Sequence, residues 1–124
     1  MEIKIHKNDN SVFLVDLSGD MDLYSSNQLK DLVMKMIENK VECLVLNLTD
    51  IKSIYSAGIG ALVYVSSTLK NLNYPLVVVA PPDGPALKAL EITRLKNYFT
   101  IVPSVKEAAA LAAAKVQSGA KPGR

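Results

Sequence analysis

The chain has 124 residues, 49% of them hydrophobic and 21% charged, with a formal net charge of +2. That is one domain's worth of sequence with enough apolar material to bury a core. No run of about 18 apolar residues is available to cross a membrane, and the near-balanced charge forms no basic stripe of the kind nucleic-acid binding needs. The N-terminal residues alternate and carry no signal-peptide core, so the default expectation is a soluble, cytoplasmic protein. The single Cys43 has no internal disulfide partner and reads as a small buried hydrophobe.

Residues 2–6 alternate with period two, as a strand with one buried face does. A second strand is expected over residues 11–17, with a hairpin turn at residues 8–10 between the two. Residues 18–21 break the pattern. A helix then starts at Ser25 or Ser26, with Ser25 and Gln28 at capping-box spacing. Leu29, Leu32, Val33, Met36 and Ile37 form its apolar stripe. Residues 43–48 are almost wholly apolar, as expected of a strand covered by helices on both faces.

A short polar loop and a second helix follow, the helix over residues 56–72 with Ile59, Leu62, Val63 and Leu69 facing inward. Residues 76–80 read as another buried strand, ended by Pro81 and Pro82. Pro85 opens a short third helix, where its missing N–H is harmless, and Leu87 and Leu90 face the core. A last strand is expected over residues 98–102. Ser104 and Glu107 then repeat the capping-box spacing ahead of an alanine-rich final helix over residues 108–115. The order β-β-α-β-α-β-α-β-α predicts an α/β fold: one domain over residues 1–115, a mixed sheet of about five strands with about four helices packed on it. Residues 116–124 have nothing to bury and read as a flexible tail.

The most informative stretch is Ser53 to Gly60, where a polar loop runs into a helix opening on Ser56-Ala57-Gly58-Ile59-Gly60. Glycine costs about 1 kcal/mol relative to alanine within a helix, and a chain keeps it where another backbone or a partner comes close. Ser56 stands at the expected N-cap. The first-turn N–H groups of a helix favour anions, so a phosphate placed here would be held and would recharge a partner surface.

Enzyme chemistry finds little support. His6 is the only histidine, and Ser56 lacks the first glycine of a nucleophile elbow. Gly58 and Gly60 are followed by Val63, which fails the dinucleotide fingerprint. No Cys, His or acid cluster has metal-ligand spacing, and Asp20 with Asp22 alone is a weak metal signal. No cofactor is expected.

The stretch Ser56-Ala57-Gly58-Ile59-Gly60 resembles the signature of STAS domains, the fold of bacterial anti-sigma factor antagonists. In that family a buried strand leads into an acid, two hydroxyl residues, then Gly-apolar-Gly at a helix start, and the second hydroxyl residue accepts a phosphate. Ser56, Gly58, Ile59 and Gly60 fit; Tyr55 stands at the acid position and Ala57 at the phosphoacceptor position. A second match is Gly19-Asp20-Met21-Asp22, ahead of the first helix. The resemblance spans roughly residues 3–114 and implies a protein that binds an anti-sigma factor, typically a serine kinase of the histidine-kinase-like ATPase class, and so releases a sigma factor. The implied partner surface is Asp20, Asp22, Tyr24, Ser25, Ser26, Ser53, Tyr55, Ser56, Ala57, Gly58 and Gly60. With alanine at position 57 three readings stand: constitutive partner binding, which is preferred; phosphorylation of Ser56 instead; or a scaffold role without a kinase. The alternative class is an accessory STAS subunit of a lipid-transport or stress-signalling complex.

Overall fold

The computed structural model describes residues 1–7, 12–39 and 42–117, the side chains of residues 116 and 117 excepted. The expected turn at residues 8–10 lies outside the described residues, as does the expected tail beyond residue 117. The elements are β1 Glu2–Lys7, β2 Val12–Met21, α1 Leu23–Glu38, β3 Cys43–Ile54, α2 Ser56–Asn71, β4 Leu76–Val79, α3 Pro85–Ile92, β5 Ile101–Val102 and α4 Val105–Gln117. Their order is the one the sequence pattern predicts. The five strands form one sheet in the order β1-β2-β3-β4-β5. β1 pairs antiparallel with β2, and every other pair is parallel. This is the mixed α/β sheet expected.

Strand side chains alternate between faces, and β3 shows what each face meets. Leu44, Leu46 and Leu48 join Leu29 and Val33 of α1, Leu62 and Leu69 of α2, and Leu87 and Leu90 of α3 in the larger core. Cys43 and Val45 point the other way, into a smaller core with Val77, Val79 and two alanines of α4, Ala108 and Ala112. Those alanines, four residues apart, keep the inward stripe of α4 small enough for the helix to lie close on the sheet. The unbroken apolar run of β3 follows from this two-sided cover.

Several boundaries differ from expectation. β2 and β3 both run on past the expected breaks, through residues 18–21 and 49–54. Their pairing register shifts between Asp16 and Ser18 and again between Gly19 and Asp20. Gly19 takes a φ of +91° there, a conformation that favours glycine. These irregularities bend the strand without ending it, and Ile51 stays buried on the extension. α1 starts at Leu23, ahead of the expected Ser25. The expected last strand at residues 98–102 shortens to β5. Lys96–Tyr98 form a 3-10 turn instead, fixed by a hydrogen bond between the Tyr98 and Ser67 hydroxyls at 2.5 Å. α4 reaches Gln117, two residues beyond the expected domain end.

Candidate functional site

The extended ends of β2 and β3 carry the two motif segments side by side. The Tyr55 N–H donates to the Met21 carbonyl at 3.1 Å, and the Ser53 hydroxyl donates to the Asp20 carboxylate at 2.6 Å. The segment that enters α1 is therefore fastened to the segment that enters α2.

At the start of α1, Asp22 is the N-cap. Its carboxylate accepts from the Ser25 N–H at 2.9 Å, while the Asp22 N–H donates to the Ser25 hydroxyl at 2.9 Å. This is a reciprocal capping box with serine in the third helical position, not the Ser25–Gln28 pairing expected. The Ser25 N–H first, and its hydroxyl second, hold the Asp22 carboxyl below its ordinary value of 3.8. The Ser26 hydroxyl donates to the Asp22 carbonyl. Ser25 and Ser26 are each only 1% exposed. The resemblance implies a partner-facing place for both, and burial removes them from it: their hydroxyls organise the helix start instead. What the turn does present is Leu23, 67% exposed, and Tyr24, 74% exposed.

α2 opens on Tyr55, the N-cap, whose side chain makes no capping bond. Ser56 is one residue further on, in the first helical position, so the expectation that it caps the helix is corrected. It is exposed, and its hydroxyl makes no hydrogen bond among the described residues. Tyr55 is 56% exposed and Ala57 half-buried.

The two glycines have different causes. A Cβ on Gly58 would lie 2.7 Å from the Met21 side chain, 2.8 Å from that of Ile54 and 2.9 Å from the Met21 carbonyl oxygen. Gly58 therefore lets α2 seat against the end of β2 within this chain. A Cβ on Gly60 would meet nothing within 4 Å. Gly60 is exposed, so no internal contact accounts for it.

One turn beyond Gly60 is the exposed Tyr64, whose ring centroid lies 5.2 Å from the Lys30 ammonium of α1, a cation–π distance that ties the two helices at the surface. Sequence reasoning passed over Leu23 and Tyr64. Placing the N-cap at Asp22, from its spacing to Ser25, would have marked Leu23 as outside the apolar stripe. For Tyr64 the signal was its i+4 relation to Gly60.

His6 lies elsewhere, on β1, with its Nε2 3.0 Å from an Asp16 carboxylate oxygen. Among the described residues no group of three or more His, Cys, Asp or Glu could hold a metal ion. No described helix is long and apolar enough to cross a membrane. Cys43 is fully buried, and burial pushes its thiol up to about 11.

A profile of the STAS domain matches residues 2–108, and the chain belongs to that family. Its fold is shared with solved structures of low sequence identity. An anti-sigma factor antagonist from Mycobacterium paratuberculosis is 20% identical over 90% of this chain and 92% of its own, with a TM-score of 0.78. The Bacillus cell fate determinant SpoIIAA in its phosphorylated form is 13% identical over 88% of this chain and 97% of its own, with a TM-score of 0.65. A sulfate transporter family protein from Wolinella succinogenes is 17% identical over 86% of this chain and 88% of its own, with a TM-score of 0.76.

Proposed function

We propose that this chain is an anti-sigma factor antagonist: a binding module, not a catalyst, that engages an anti-sigma factor of the serine-kinase type and so frees a sigma factor. The observation that carries the reading is Gly60, an exposed helical glycine with open space around it, in the opening turns of α2 with the exposed Tyr55 and Ser56. Membership of the STAS family and the fold shared with anti-sigma factor antagonists support it. The proposed surface is Asp20, Asp22, Leu23, Tyr24, Ser53, Tyr55, Ser56, Ala57 and Gly60, with Ser25, Ser26 and Gly58 holding it in shape from beneath. The tyrosines are the anchors, since they give large amphipathic contact area at little entropic cost. The Asp20 and Asp22 carboxylates set polar register. Because Ala57 has no hydroxyl, the phosphate switch is absent at that position and binding is constitutive. Ser56, with its unengaged hydroxyl, is the alternative acceptor.

The test is capture of the native partner on tagged protein, with identification by mass spectrometry and phosphopeptide mapping of Ser56. A small ATPase-domain kinase bound to chain unmodified at Ser56 is the expected result. Phosphate found on Ser56 would restore a switch. The second reading is an accessory STAS subunit, favoured by the fold shared with a sulfate transporter family protein. Recovery of membrane-complex components instead of a kinase would replace the first reading with it.

A further inference from the structure

β1 forms one edge of the sheet with six residues, while β5 at the other edge has two. An edge strand presents a row of unpaired N–H and C=O groups. Ile3 is half-buried, and every other residue of β1 is exposed, Ile5 to 47%. Two of its polar side chains are engaged within the chain. The His6 ring meets the Asp16 carboxylate, and the Lys7 ammonium lies 5.6 Å from the centroid of the Phe13 ring. Glu2 and Lys4 make no ion pair among the described residues.

Charged residues on an edge are an ordinary guard against strand pairing, and that is the plainer account of Glu2 and Lys4. The guard works against a strand of unrelated sequence, but it fails against β1 itself. Side chains directly opposite across an antiparallel pair share a face. A β1–β1 pairing that continues the sheet therefore matches even positions with even and odd with odd. Registers centred on Glu2, Lys4 or His6 set that side chain against its own copy. A centre at Ile5 sets Lys4 against His6 and Ile3 against Lys7. A centre at Ile3 sets Glu2 against Lys4 on both sides, Ile3 against itself, and the exposed Ile5 against Met1. Only there do the two charges without a partner in the chain meet each other.

We propose that β1 pairs antiparallel with β1 of a second copy of this chain, in register about Ile3. Backbone hydrogen bonds supply the attraction, and the Glu2–Lys4 pairs fix the register. The two-fold axis stands normal to the sheet and joins two five-stranded sheets into one. The Ser56 loops then lie at opposite ends of it, both open to partners. One edge strand gives a small interface, so the dimer is reversible. It uses none of the residues of the partner surface described above, and the two readings fail independently.

The experiment is sedimentation equilibrium of the whole chain up to about 1 mM, at low ionic strength, where exposed ion pairs are least screened. A concentration-dependent dimer is expected, with amide exchange slowed in β1 as the dimer forms. Glu2→Lys and Lys4→Glu should each weaken it roughly tenfold, since each turns two attractive cross-strand pairs repulsive. The two single variants mixed together should pair, and the double variant should dimerise like the parent. Both positions are exposed, and circular dichroism confirms that the variants fold. A parent monomeric throughout, single variants that dimerise unchanged, a double variant no better than the single ones, or slowed exchange outside β1 would each overturn the assignment.

Discussion

A methyl group added at Gly58 and one added at Gly60 should move stability in opposite directions. At Gly58 the new Cβ falls under 3.0 Å from two side chains and from the Met21 carbonyl oxygen. The Met21 and Ile54 side chains can rotate, but the carbonyl also accepts the Tyr55 N–H. Relief therefore requires the start of α2 to lift from β2. Overpacking of this kind costs about 1–3 kcal/mol, and better helix propensity returns up to ~1 kcal/mol. Because a backbone oxygen is among the clashing atoms, the upper part of that range, about 2–3 kcal/mol, applies, and Gly58→Ala should lose about 1–2 kcal/mol net. Gly60→Ala meets no atom within 4 Å and should gain up to ~1 kcal/mol. For a domain of this size each kcal/mol moves Tm by about 3–5 °C. Urea denaturation followed by circular dichroism, with thermal melts alongside, reads both. A Gly58→Ala protein as stable as the parent would refute the close seating of α2 on Met21.

Asp22→Ala should lower stability at neutral pH by removing the α1 cap. The Asp22 carboxyl is depressed in the folded chain, so its contribution is present above 3.8 and fades as pH falls through the lower folded value. Denaturation of parent and variant should therefore converge below pH 3.8. Cys43 should resist alkylation in the folded protein, because its thiol is buried and stays protonated. Labelling as fast as in urea would contradict that burial. As pH rises from 9.0 towards about 11 the unfolded thiol ionises first, so stability should fall across that window, and less so in Cys43→Ala.

The sequence carried the element order because each element had its own period: alternation in β1, the i, i+3, i+4 stripe in α1, the unbroken apolar run in β3. It misplaced the ends of β2 and β3 because the information there lies between strands. Residues 18–21 and 49–54 look broken singly and are regular only when paired across the register shifts. Ser25 and Ser26 were misread as surface for a related reason. Polar residues at a helix start look exposed until the N-cap is assigned, and moving the cap to Asp22 turns both inward. The paired glycines were legible as a signal but not as two causes, since separating them needs the Met21 carbonyl beside Gly58 and the open space at Gly60.

The most direct test is calorimetric affinity for the anti-sigma kinase recovered with the native chain, comparing the parent with Ala57→Asp. Ala57 is half-buried in the first turn of α2, between the exposed Tyr55 and Gly60. A carboxylate introduced there would be desolvated against the partner, at a cost of about 3 kcal/mol, or roughly a hundredfold in Kd. Near-complete loss of binding, with the variant's fold and stability retained, is the predicted result. Unchanged affinity for the same kinase would contradict the placement of the interface at this loop.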